Sequence, residues 1–202
     1  MIKAIVFDLG NVVLTNDHPY NTPEELIEFC EHFNASMDNL DTAFVISFPG
    51  YSLGKITENE FWERYLYTAR ASSMDIEYAK NFWRKNQKEN ENMLGLLKKL
   101  KNKYRLVALS TIPREWLDYK KKTFKLDDCF ELIVSSGYYG YKKPDVRIYE
   151  ILIKKLGLKP EEILFIDDKE PLLVPAQKLG IKTLLFRGQE NLEIEFKKQN
   201  LL

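Results

Sequence analysis

Five short apolar runs, rich in β-branched and aromatic residues, stop at polar residues or glycine, and helical patterning lies between most of them. Ile2–Phe7 stops at Asp8, and Arg105–Leu109 at Ser110 and Thr111. Leu132–Val134 stops at Ser135, Ser136 and Gly137, Ile163–Ile166 at Asp167 and Asp168, and Thr183–Phe186 at Arg187 and Gly188. Such runs read as buried strands. Strands that alternate with helices imply a parallel sheet with helical crossovers. Right-handed crossovers bring every carboxyl end to one edge, so Asp8, Ser110, Asp167 and Asp168 are expected to converge there. In open α/β sheets that edge is where ligands bind.

Asp8 carries the most information. It is followed by Leu9-Gly10-Asn11-Val12-Val13, so a carboxylate at the end of an interior strand is joined to backbone that Gly10 lets bend sharply. A carboxylate held there can serve as a nucleophile or a metal ligand. For any single run, a polar residue that merely terminates a strand is the plain alternative. That alternative weakens when three ends carry Asp, Ser and Asp-Asp.

The composition limits the classes of function. The 202 residues suit one sizeable domain with an insert, and 45% hydrophobic content implies a packed core rather than disorder. Lys+Arg and Asp+Glu are 30 each, so no overall basic field attracts nucleic acid or an anionic membrane. A monomer or homodimer is expected. Cys30 and Cys129 lack metal-type spacing and read as reduced thiols in a cytoplasmic protein. No signal peptide is expected, and no apolar stretch approaches the roughly 20 residues of a membrane span.

The sheet pattern breaks after Leu14 and resumes near Tyr104. Residues 16–87 are expected to form a helical cap domain, with residues 1–15 and 88–202 as the α/β core domain. Thr22-Pro23-Glu24-Glu25 and Thr57-Glu58-Asn59-Glu60 are helix-start signatures. Pro49-Gly50-Tyr51-Ser52-Leu53-Gly54 reads as a loop inside the insert, and Trp62, Phe82 and Trp83 as its core. His18 reads as a surface residue. From residue 4 through 54 there is no Lys or Arg, whereas Asp17, Glu24, Glu25, Glu28, Glu31, Asp38 and Asp41 are acidic. If that face borders the site, it disfavours a leaving group with extra negative charge. Tyr138-Tyr139-Gly140-Tyr141 either lines the pocket or packs as an ordinary loop.

Phe7-Asp8-Leu9-Gly10-Asn11-Val12, Leu109-Ser110-Thr111, Lys142-Lys143-Pro144-Asp145 and Phe165-Ile166-Asp167-Asp168 stand in this order at strand ends. Together they resemble the haloacid dehalogenase-like hydrolases, in particular the subfamily with a small helical cap after the first strand. Gly54-Lys55-Ile56-Thr57 with Glu60-Phe61-Trp62 looks like the cap of its phosphatase-like members. The resemblance implies a three-layer, Rossmann-like parallel α/β sheet with an α-helical cap insert. It also implies a magnesium-dependent (Mg2+) phosphatase acting through an aspartyl-phosphate.

By that resemblance Asp8 is the nucleophile, and Asp8, the Gly10 carbonyl and Asp168 hold magnesium, with Asp167 behind them. The adjacent acidic pair could exchange these roles. Ser110, Thr111 and Lys143 bind the phosphate, and Lys143 is preferred over Lys142 because the family lysine directly precedes proline. Gly10 stands where phosphatases of the family usually carry an acid/base Asp, with Asp17 and His18 as nearby substitutes. Leu172 stands where many relatives carry an acidic or amide residue, which would weaken magnesium ordering. Sugar phosphates are the favoured substrates, because an anomeric oxygen leaves easily. A haloacid dehalogenase is one alternative reading, though residues 16–54 hold no arginine for a halide. A catalytically silent phosphate-binding protein is the other.

Overall fold

The computed structural model describes residues 1–14 and 18–202. The chain opens with β1 (Ala4–Phe7) and continues through α1 (Pro23–Phe33), α2 (Met37–Ser52), α3 (Glu58–Thr68), α4 (Ile76–Lys85) and α5 (Glu91–Leu100). Next come β2 (Arg105–Ser110), α6 (Arg114–Phe124), α7 (Leu126–Cys129), β3 (Leu132–Ser135), α8 (Ser136–Tyr139) and α9 (Val146–Leu156). The chain then runs through β4 (Ile163–Asp167), α10 (Glu170–Lys178), β5 (Lys182–Leu185) and α11 (Gln189–Lys198).

All pairings between these strands are parallel, in the order β3-β2-β1-β4-β5. The chain moves outward from β1 through β2 to β3 and then returns to β4 on the other side. The strand order therefore reverses beside β1, the position where sheets of this kind bind ligands. Phe7 is in register with Ala108 and Ile166, which brings the ends of β1, β2 and β4 side by side.

The central strand is buried on both faces, as parallel sheets require. Ile5 and Phe7 point to the side covered by α5, α6 and α11, and Ala4 and Val6 to the side covered by α9 and α10. This gives the expected three layers. The period of two along β1 sorts its side chains between them.

The helices α1 to α4 lie between β1 and α5. Thr22 accepts from the Glu25 N–H with Pro23 in the first turn, and Thr57 and Glu60 form a reciprocal capping box. The expected boundary at residues 15 and 16 lies outside the described residues. The expected loop at 49–54 needs correction, because α2 runs on through Pro49 and Gly50 to Ser52. Tertiary packing outweighs the helix-breaking tendency of Pro49 here. Tyr51, one residue from the helix end, is fully buried, stacked on Phe61 and edge-on to Trp116.

These helices do not keep a core of their own. Their apolar side chains join one continuous cluster with the sheet face beneath α5 and α6. Trp62, Phe82 and Trp83 are buried as expected, but Trp83 stacks on Trp116 of α6 at 4.2 Å. Glu58 accepts from the Trp116 indole at 3.1 Å and pairs with Arg84 at 2.7 Å. Gly54, at φ +67°, packs its Cα against the Gly137 carbonyl, which also accepts from Arg114 Nε. A side chain there would meet that carbonyl while forced into a left-handed backbone.

Candidate active site

Asp8 lies one residue beyond β1. Its N–H donates to the Ile166 carbonyl at 2.9 Å, continuing the sheet register, and its Oδ1 accepts from the Leu9 N–H at 2.7 Å. The chain then turns back. Asn11 takes a left-handed backbone at φ 59°, and the N–H groups of Val13 and Leu14 donate to the Leu9 carbonyl. This tight turn leaves Gly10 on the cavity wall immediately beside the Asp8 carboxylate.

Lys143 Nζ sits 2.9 Å from Asp8 Oδ1 and 2.5 Å from Asp167 Oδ2. All three groups are nearly sealed from solvent: Asp8 is 8% exposed, Lys143 5% and Asp167 0%. Asp167 also accepts from the Lys169 N–H at 2.9 Å, so both its oxygens have donors. Asp168 is less enclosed and accepts from the Asn11 side-chain amide at 3.3 Å. Asp8, Asp167 and Asp168 can each bring one oxygen within 4.8 Å of the others. A single hard cation can bridge such a set, since magnesium takes oxygen ligands from one or two carboxylates.

Burial disfavours the ionised Asp8 and, with the Asp167 charge, outweighs the pull of Lys143, so its pKa rises from 3.8 to about 6. Burial works against the Lys143 ammonium as well. The two carboxylates overcome it and hold the lysine above its ordinary value. One cation thus holds two buried carboxylates together, with a surplus negative charge at the sheet edge.

A cavity of about 570 Å³ opens above this group. Its floor includes Asp8, Gly10, Ser110, Thr111, Lys143 and Asp168, residues singled out in the sequence as candidates for the site. Lys143 rather than Lys142 carries its ammonium to Asp8; Lys142 gives its carbonyl to the Asp145 N–H. Leu172 also lines the cavity, and its carbonyl accepts from the Tyr149 hydroxyl at 2.6 Å.

The opposite wall comes from the helical segment and was mostly not anticipated. It includes His18, Tyr20, Asn21, Asp41, Phe44 and Phe48. The helical spacing of Asp41, Phe44 and Phe48 was a usable signal, since i, i+3 and i+7 share one face of a helix. The expectation for His18 needs correction. It is a partly buried cavity residue between Tyr20 and Phe44, and burial lowers its pKa against the opposing charge of Asp41. Asp17 lies outside the described residues. The tyrosines near residue 140 follow the loop-packing alternative: Tyr138 donates to Asp118, and Arg147 lies over the Tyr141 ring.

Comparison with known proteins places these features in context. The family model described as haloacid dehalogenase-like hydrolase matches residues 2–176. A drimenol cyclase, drtB, of Aspergillus calidoustus is 24% identical over 199 residues, covering 96% of this chain. The GMP/IMP nucleotidase YrfG of Escherichia coli (strain K12) is 34% identical over 97 residues, covering 47% of this chain. The chain spans 35% and 43% of the lengths of these two curated relatives. Among solved structures, the HAD family enzyme bt-2542 of Bacteroides thetaiotaomicron, in complex with magnesium and inorganic phosphate, is 26% identical with a TM-score of 0.79. That match covers 94% of this chain and 96% of the other. No helix among the described residues is long and apolar enough to cross a membrane.

Proposed function

The chain belongs to the haloacid dehalogenase-like hydrolases, and within that family we propose that it is a magnesium-dependent phosphatase of small phosphorylated metabolites. One observation carries this reading: Asp8, Lys143, Asp167 and Asp168 cluster at the floor of a cavity large enough for a small ester. The magnesium and phosphate bound to bt-2542 add support.

Asp8, the Gly10 carbonyl and Asp168 would hold magnesium, and the close approach of the three carboxylates fits a divalent cation. When bound, that ion offsets the repulsion between the Asp8 carboxylate and the phosphate dianion. Asp167 holds Lys143 from behind. Lys143 supplies fixed positive charge where negative charge builds up in the transition state, and Ser110 and Thr111 donate to phosphoryl oxygens. Asp8 attacks phosphorus through a carboxylate oxygen, forming an aspartyl-phosphate as the bond to the leaving oxygen breaks. Water then cleaves the acyl phosphate, releasing inorganic phosphate and restoring Asp8.

The leaving oxygen must gain a proton, and Gly10 offers none. His18 is the described titratable group on the wall suited to that role. An anomeric leaving group would lower the demand on it, which favours sugar phosphates. The helical segment 16–87 serves as the cap over the site. The dehalogenase reading gains nothing from the cap, because residues 4–54 hold no arginine for a halide.

The test is phosphate release across a panel of metabolite phosphates with magnesium, alongside beryllofluoride trapping on Asp8. Release that is lost with chelator, together with an adduct on Asp8, is expected. No release across the panel overturns the reading, and a bound but unchanged ligand would point to a silent binding protein.

A further inference from the structure

We infer that Asp41 decides which esters the cavity accepts: monophosphates with an uncharged, hydroxyl-bearing leaving group, not those with a second anionic group. This rests on the phosphatase reading and deepens it. Asp41, Phe44 and Phe48 recur on one face of α2 and all line the same cavity as Asp8. The Phe44 and Phe48 rings stack at 4.6 Å with 16° between their planes. They form a flat apolar ledge suited to the C–H face of a ring, such as that of a sugar.

Asp41 supplies the polar end of that wall. Its Oδ1 accepts from the Tyr20 hydroxyl at 2.8 Å. An ionised carboxylate has about four acceptor sites on two oxygens, so capacity remains for hydroxyl donors from a ligand. The Tyr20 hydroxyl fixes the orientation of the carboxylate.

The wall lacks a cation to oppose this charge. No Lys or Arg occurs from residue 4 through 54, and burial disfavours the charged form of His18. Lys143 and Lys169 both belong to the sheet edge, and Lys143 is already paired with two carboxylates. A monophosphate places its only charge at the floor. A second phosphate or a carboxylate at the wall meets Asp41 with no counter-charge, and selectivity by such repulsion is a difference in affinity between competing ligands. Asp41 is exposed to solvent, so screening limits the effect to about tenfold rather than the larger factors of a buried pair.

The test compares kcat/KM for glucose 1-phosphate and glucose 1,6-bisphosphate with magnesium, in the wild type and in Asp41→Asn, Asp41→Lys and Asp41→Glu. The wild type is expected to prefer the monophosphate by about tenfold. Asp41→Asn should remove most of that preference through the KM of the bisphosphate, Asp41→Lys should invert it, and Asp41→Glu should retain it. Equal use of both esters by the wild type, or a preference that is the same in all four proteins, overturns the inference. p-Nitrophenyl phosphate separates the two levels. Its hydrolysis with an unmoved preference sinks the role of Asp41 alone. If neither it nor the sugar esters release phosphate, the phosphatase reading falls and takes this inference with it.

Discussion

At the floor of the cavity, Lys143 lies within 2.9 Å of a buried carboxylate, and the strand register sets the ends of β1 and β4, which carry Asp8 and Asp167, side by side. At the wall, Asp41 is exposed and its partner is the Tyr20 hydroxyl, on a segment with no basic residue. The floor is thus desolvated, with Lys143 offsetting only part of its negative charge, whereas the wall is aromatic, wetter and without a basic residue. Low dielectric at the floor strengthens fixed charges, as catalysis on a charged group requires. Around the wall, solvent screening leaves weaker electrostatics, enough to sort ligands but too weak to drive bond breaking. On the proposed reading, chemistry and selection fall to different parts of the chain.

Substitutions should separate the two regions. The largest effect is expected from Asp8→Asn, which removes the attacking oxygen's charge and should lower kcat on the order of 10⁴-fold. Survival of turnover within tenfold of wild type would remove Asp8 as nucleophile. Lys143→Ala comes next, because it leaves Asp8 and Asp167 buried without their cation. Urea unfolding without metal should show a loss of about 3–5 kcal/mol, with kcat falling as well. An unchanged urea midpoint would show that the carboxylates do not depend on Lys143.

Gly54→Ala tests the join between the helical segment and the sheet side. The left-handed backbone and the Gly137 carbonyl both oppose a Cβ, so a loss of about 1–3 kcal/mol is expected in thermal or urea unfolding. Phe44→Ala probes the wall alone. It should raise KM by about tenfold while leaving kcat near wild type, the pattern of lost uniform binding. A fall in kcat with unchanged KM would mean that the wall takes part in chemistry.

The smallest effect concerns pH. The folded, metal-free protein keeps the Asp8 proton up to about pH 6, whereas the unfolded chain releases it near 3.8. The folded state therefore binds more protons between these values, and that contribution to stability fades as pH rises through about 6. Magnesium needs the ionised carboxylate. The rise in Tm on adding magnesium should accordingly be full above pH 7 and shrink as pH falls through about 6. A magnesium shift that is constant from pH 5 to 8 would contradict Asp8 as a ligand.

Much of the floor was legible from the amino-acid order. Short apolar runs such as Ile163–Ile166, bounded by polar residues and separated by helices, read as strands of a covered sheet, and parallel connection then brings Asp8, Ser110 and Asp167 to one edge. The wall was harder to read. Pro49 looked like a break, yet the buried Tyr51 carries α2 past it, and a lone His18 gave no sign of the rings that enclose it.

The order of residues by itself determined the sheet, its helical insert and the meeting of distant acids, because periodicity and strand polarity are local properties that add up to one topology. Only the tertiary structure decided that the insert shares its core with the sheet, that His18 sits among rings, and that Asp41 and Phe44 line the same cavity as the acids. Those outcomes depend on how helices pack against one another. Side chains far apart in sequence settle that packing together, through burial and shape that no local pattern encodes.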